Sequence, residues 1–387
     1  MSELHRPLGA GFYARMRDRL RQTAAGNGLH GLLLLRPSNV AYASGFFYSA
    51  NERPVGLYLP VEADPILFIP DLERENAEGL GIADVRCYQE FPGETHPLLW
   101  MLEQIGPRAL SLDHLDAVLL PAVRDRVQRL DLRDYAMEQR CIKEPEELAL
   151  TREAATFADR FLARLAEVGA DIIAQGGTEQ DLLNEGISHA RAALMAKHKA
   201  AFDGTPMGIT ATVHSGPRAA LPHGAVLERR PQRGETLIAG IGASLGGYHA
   251  ESGVTLIVGD ISPDQRRIMQ TMQDCNDAAV AALTPGGRCD VVNTAALDVL
   301  RDAGLEAAIR HRIGHGMGLD GHEAPWLAPG DPTRIAPFMV FSNEPGVYRP
   351  GLDGYRTINT MIVTASGVEI PSRFLAETPI DRRVLAV

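Results

Sequence analysis

Apolar and polar positions change along this chain in short blocks, and the blocks predict its elements. Residues 12–25 have helical character, with Arg and Asp gathered on one side. Gly31-Leu32-Leu33-Leu34-Leu35 is an unbroken apolar run and predicts a buried strand. Arg36-Pro37-Ser38-Asn39 predicts a turn leading into a second helix or an irregular segment. Residues 55–59 and 65–69 are apolar runs between acidic and proline-rich turns, as strands of one sheet would be, and residues 109–112 read as another. The pattern predicts an α/β domain over residues 1–140.

A boundary follows at Arg140 to Glu147. Pro145 with Glu146 and Glu147 marks the first turn of a long helix running through Phe157, Phe161, Leu162 and Leu165. Residues 141–387 then hold a weak internal repeat. One copy has Gln175-Gly176-Gly177-Thr178-Glu179-Gln180-Asp181 and a predicted helix over 182–194. The other has Pro285-Gly286-Gly287-Arg288-Cys289-Asp290 and a predicted helix over 291–303. Ser262-Pro263-Asp264 opens the helix before the second copy with good capping chemistry. Two halves of this kind predict a pseudo-twofold domain with a ligand cleft between them.

Composition narrows the function classes. The chain has 387 residues, 45% hydrophobic and 22% charged, which suits two globular domains. A net charge of −11 argues against nucleic-acid and anionic-membrane partners. Arg229-Arg230 with Arg233 is expected to be a solvated turn. The first residues, Met1-Ser2-Glu3-Leu4-His5-Arg6-Pro7, lack the apolar run of a secretory signal, and no apolar stretch is long enough to span a bilayer. Cys87, Cys141, Cys275 and Cys289 are scattered, which predicts reduced thiols in a cytoplasmic protein.

The candidate chemistry lies in the second domain. Its strand-like stretches carry Thr212-Val213-His214, Pro222-His223-Gly224, Gly240-Ile241-Gly242, Tyr248-His249-Ala250-Glu251, and two dense patches. These are Gly314-His315-Gly316-Met317-Gly318 with His322-Glu323-Ala324-Pro325, and Ser342-Asn343-Glu344-Pro345-Gly346. A hairpin is expected from 341–348 and 354–364. Histidines and carboxylates gathered on strands point to acid–base or metal-assisted hydrolysis.

This set resembles the pita-bread hydrolases of the M24 type: aminopeptidase P, prolidase, methionine aminopeptidase and creatinase. The resemblance covers the whole chain and is most specific in GHGMGLDGHEAP and SNEPGVY. It implies a creatinase/prolidase-type N-terminal α/β domain, then a pita-bread domain of α+β type with a pseudo-twofold repeat and a curved antiparallel sheet. It also implies a homodimer. Peptidases of the family hold two metal ions with two Asp, one His and two Glu. Carried over, those positions fall on Gly240, Glu251, His315, Glu344 and Ile358. Two of the five therefore have no donor, and a two-metal centre is not expected.

The resemblance to creatinase, which cleaves a C–N bond without metal, places its histidine on His223. Its glutamate falls on Gly253 and its arginine on Val254, which puts creatine itself in doubt as substrate. The expected catalytic set is His223, Glu251, His315, His322 and Glu344. Arg356, Tyr248 and Trp326 are expected to bind substrate. No cofactor is required on this reading; a single divalent ion such as Mn, Zn or Fe, if bound, would use Glu251, His315 and Glu344. The expected function is hydrolysis of a C–N bond in a small amino-acid-like, dipeptide or amidine substrate. The alternatives are a one-metal Xaa-Pro dipeptidase or aminopeptidase, and an inactive pita-bread binding protein.

Overall fold

A computed structural model describes residues 7–387; the reading of the chain start therefore falls largely on residues 1–6, outside those described. The chain divides into two compact units. One runs to Arg140 and takes in Ala201–Thr205; the other holds Cys141–Ala200 and Pro206–Val387.

The first unit is built on six strands: β1 (Gly31–Leu34), β2 (Gly56–Pro60), β3 (Ile66–Pro70), β4 (Asp84–Tyr88), β5 (Ala109–Leu112) and β6 (Arg129–Asp131). Their order is β4-β3-β2-β1-β5-β6. Strand β1 is apolar throughout because both of its faces are covered. Leu32 and Leu34 enter one core with Leu20 and Ala24 of the helix Ala10–Gly26. Leu33 enters the other with Met101 and Leu102. The expected turn at 36–39 is the start of a helix, Pro37–Ser44, with proline in its first turn.

The second unit carries the strands β7 (Gly208–Ser215), β8 (Thr236–Leu245), β9 (Tyr248–Val258), β10 (Gly314–Gly316), β11 (Glu323–Leu327), β12 (Val340–Asn343), β13 (Gly346–Arg349), β14 (Asp353–Arg356) and β15 (Ile358–Val363). Seven of these form an antiparallel path, β11-β10-β12-β15-β9-β8-β7, while β13 and β14 pair with each other. The fold is the expected pita-bread sheet, backed by two helix pairs. The first pair is Pro145–Ala174 and Glu179–His198; the second is Pro263–Ala282 and Cys289–Asp302.

The helices begin where their caps dictate. Glu144 and Glu147 make a reciprocal cap around Pro145. Thr178 accepts from the Asp181 backbone, so that helix starts three residues before the expected 182.

Side-chain alternation sorts this sheet into two faces. Phe341, Met361 and Val363 pack into the core with Met272 and Leu300 of the second helix pair. Asn343 and Asn359 point the same way and both donate to Asn276 Oδ1, at 3.0 and 2.8 Å. Ser342, Glu344, Ile358 and Thr360 occupy the intervening positions and face the other side. No helix among the described residues is long and apolar enough to cross a membrane.

Candidate active site

The register of the sheet builds the site. Gly242 pairs with Glu251 across β8 and β9. Thr360 then receives the Glu251 N–H at 2.8 Å and donates its hydroxyl to the Glu251 carbonyl. Thr360 pairs with Ser342, and Ser342 pairs with His315. One lateral row thus carries Gly242, Glu251, Thr360, Ser342 and His315. The neighbouring row carries Thr212, Gly240, Gly253 and Ile358. Residues two apart on a strand share a face, so both rows look into the same space.

That space is a cavity of about 610 Å³. Its walls include His223, Glu251, His322, Glu344, Arg356 and Ile358. His315 lies fully buried behind them. Its Nδ1 faces the Gly316 carbonyl at 3.0 Å, which turns Nε2 towards the carboxylates. Nε2 stands 3.3 Å from Glu344 and 3.8 Å from Glu251. It has no aligned hydrogen-bond partner, so the contact is ionic rather than a formed hydrogen bond. His322 stacks on the His315 ring, centroids 3.7 Å apart and planes 19° from parallel. Ser342 donates to Glu251 Oε2 at 2.6 Å, and the Glu344 N–H is tied to the Ile313 carbonyl at 2.6 Å.

These contacts separate the two carboxylates. Burial pushes Glu251 up, against the pull of His315. Burial would also raise Glu344, but contact with His315, helped by His311 and Arg356, brings it down to about 2. Burial works against a charged His315, yet Glu344 and Glu251 outweigh it and hold its pKa above the ordinary value. Burial, then the neighbouring His315, lowers His322. One fixed ion pair beside a carboxyl that resists ionisation is an arrangement suited to proton transfer.

The structure brings together six of the eight expected site residues: His223, Glu251, His315, His322, Glu344 and Arg356. Two expectations are corrected. Tyr248 is three residues from Glu251 on β9 and therefore faces the opposite side; it is buried, and its hydroxyl donates to Glu147 at 2.9 Å. Trp326 lines a separate recess with Pro329 and Asp331, held by Arg312 at 4.7 Å from its ring. Trp326 pairs with His315 but does so from β11, the end strand of the path, and so stands beyond the cavity.

Three further residues belong to the site. Ser342 and Thr360 hold Glu251, and His249 lines the cavity. Two-residue spacing from Glu344 and from Glu251 is the signal that finds Ser342 and His249.

The profile of metallopeptidase family M24 matches residues 149–365, and that of the Creatinase/Prolidase N-terminal domain matches residues 16–140. The chain belongs to metallopeptidase family M24. By family it is a hydrolase acting on C–N bonds. It is 30% identical over 370 residues to a probable dipeptidase PepE of Mycobacterium tuberculosis, covering 94% of this chain and 95% of that one. It is 28% identical over 350 residues to an Xaa-Pro dipeptidase of Pyrococcus furiosus, covering 89% and 93%. The crystal structure of dipeptidase PepE from Mycobacterium ulcerans superposes with a TM-score of 0.84 at 29% identity, over 98% of this chain and all of that one.

Family M24 is a metallopeptidase family, and metal would have to be held by this donor set. A pair of ions needs carboxylates to bridge them and offset their repulsion. At the two vacant family positions stand Gly240 and Ile358, which offer no donor. The space itself is taken. A Cβ on Gly240 would lie 2.8 Å from Arg356 Nη2 and 3.3 Å from Ile358 Cδ1, and a Cβ on Gly253 would lie 2.6 Å from Ile358 Cδ1. Hydrocarbon and a guanidinium fill the place of two carboxylates, and a two-metal centre does not fit. Glu251, His315 and His322 can bring one donor atom each within 4.8 Å of one another, and that set could hold a single ion.

Proposed function

We propose that this M24 member hydrolyses a C–N bond of a dipeptide-sized substrate by acid–base chemistry of its own side chains, without a paired-metal centre. One observation carries this reading. The row that ends in Glu251, Ser342 and His315 is intact and polar, while the adjacent row that would complete a dinuclear centre is Gly240, Gly253 and Ile358.

In this reading the ion pair of His315 and Glu344 is a fixed dipole on the wall. His322, stacked against His315 and exposed on the cavity side, polarises the substrate carbonyl. His223, on the exposed loop after β7, takes a proton from water as the water oxygen bonds to the carbonyl carbon. Glu251 delivers a proton to the leaving nitrogen as the C–N bond breaks. An acid and an amine result. Holding water, carbonyl and proton donor in one cavity supplies much of the rate.

The test is a panel of Xaa-Pro dipeptides, other dipeptides and amidino acids, run with wild type and with His223→Ala. Turnover of at least one class by wild type, reduced roughly 100-fold or more in the variant, is expected. No cleavage across the panel overturns the proposed activity, and near-normal turnover by His223→Ala overturns the role given to that residue.

A second reading has an observation of its own. The Glu251, His315 and His322 cluster supports a one-ion Xaa-Pro dipeptidase. One equivalent of bound metal with manganese-dependent cleavage of Xaa-Pro dipeptides selects it.

A further inference from the structure

Arg356 is the last residue of β14 and is only 7% exposed. A buried guanidinium needs a counter-charge or a full set of strong acceptors, because desolvation costs several kcal/mol. Arg356 has neither. Nη1 donates to the Pro222 carbonyl at 3.2 Å, and Nη2 reaches Thr212 Oγ1 at the long distance of 3.5 Å. Nε is buried without a partner. No carboxylate among the described residues pairs with it within 4.0 Å, although Glu344 is near enough to feel its charge. The side chain lines the same cavity as His223, Glu251 and Glu344.

The sequence makes room for this cation. Gly240 has no side chain, and any Cβ there would meet Arg356 Nη2 at 2.8 Å. Ile358 covers Gly253 and offers only hydrocarbon. The guanidinium therefore stands in a polar gap with unused donors and no anion.

We propose that Arg356 is an anion anchor that binds the carboxylate of the substrate, in the space that further metal-ligating carboxylates would occupy. The planar fork of a guanidinium matches a carboxylate with two parallel hydrogen bonds. The spacing suits a small peptide-like acid. Gly240 lies two residues along β8 from Gly242, the partner of Glu251. The backbone positions beneath anchor and proton donor are thus roughly 7 Å apart along the strand, about two residues of extended chain. The ionised Glu344 nearby disfavours a dianion such as phosphate. The ligand class is a small monocarboxylic acid with its C–N bond one to two residues from the carboxylate. This step rests on the proposed hydrolysis only for the position of that bond; the anchor itself does not.

The test is binding, measured by calorimetry apart from turnover. The probes are proline, glycylproline and N-acetylglycine, each paired with its carboxamide, and inorganic phosphate as a further anion. Wild type is expected to bind at least one acid 10-fold or more tightly than its amide. Arg356→Met loses that preference and Arg356→Lys keeps part of it. Gly240→Asp, which sets a carboxylate against the guanidinium, also abolishes it. Melting temperatures confirm that each variant is folded.

Absence of any acid-over-amide preference in wild type overturns the anchor, as does an unchanged preference in folded Arg356→Met. Phosphate bound more tightly than every carboxylate overturns the ligand class. A preserved preference with no hydrolysis anywhere would remove the proposed activity and leave the anchor standing; hydrolysis without the preference would do the reverse.

Discussion

His315→Ala is expected to lower kcat/KM roughly 1,000-fold on whatever substrate the wild type cleaves, the scale of losing a preorganised electrostatic element of a site. The reason is its position. Nε2 is the one cationic atom set between Glu344 at 3.3 Å and Glu251 at 3.8 Å. Its ring also supports His322 from behind. Removing it leaves two buried carboxylates facing each other with no cation between them, so each takes up a proton more readily than before. The variant should therefore lose, besides turnover, the stability that an ionised Glu344 contributes, which in wild type is fully present above the ordinary carboxylate range and fades as pH falls towards about 2. Steady-state kinetics with a melting curve check both. Turnover within a factor of a few of wild type would place the chemistry elsewhere.

The second large effect falls on folding. Gly314→Ala should yield little or no soluble protein, or a loss of more than about 4 kcal/mol in stability, the range reserved for severe steric or packing faults. A Cβ at position 314 would stand 2.0 Å from the Ser342 carbonyl oxygen, a backbone atom of the neighbouring strand that cannot turn aside. The strand pair Gly314 with Asn343 and His315 with Ser342 would have to part, and with it the register that sets His315 against Glu344. Gly26→Ala is the control, since nothing lies within 4 Å of a Cβ there. Soluble yield and urea midpoints for both variants decide it. A Gly314→Ala midpoint near wild type would show that the close strand approach is not needed.

Much of this site was legible because its chemistry sits in dense local patches. His315 and His322 lie in one motif and Glu344 in another, and each patch maps to one strand with the loop beside it. The first unit was equally plain: an apolar run such as Leu32 to Leu34, short and bounded by turn residues, reads as a strand covered on both faces, and it is one.

What failed was projection through the pleat. Tyr248 is close to Glu251 in number yet opposite to it in direction, and simple counting by twos shows it. Trp326 was lost for a different reason. It pairs directly with His315 from β11, the end strand of the path, and so stands beyond the cavity, which residue spacing along the chain does not report. Asn359, next to the missing carboxylate, faces the helix Pro263–Ala282 instead of the cavity.

The lateral rows were also invisible in one dimension. Gly240, Gly253 and Ile358 are far apart in sequence, and only the register shows that one isoleucine covers the ground left by two glycines. Of the basic cluster, Arg233 is exposed and pairs with Asp260 at 2.6 Å, whereas Arg229 is half-buried against Glu235 at 2.5 Å rather than solvated.

Metal content tests the central claim most directly: atomic emission on protein purified without chelator, followed by hydrolysis assays before and after stripping. Loss of donors at Gly240 and Ile358 predicts metal well below one ion per chain and turnover that survives stripping. Two ions per chain, with turnover that vanishes on stripping and returns with manganese, would contradict it.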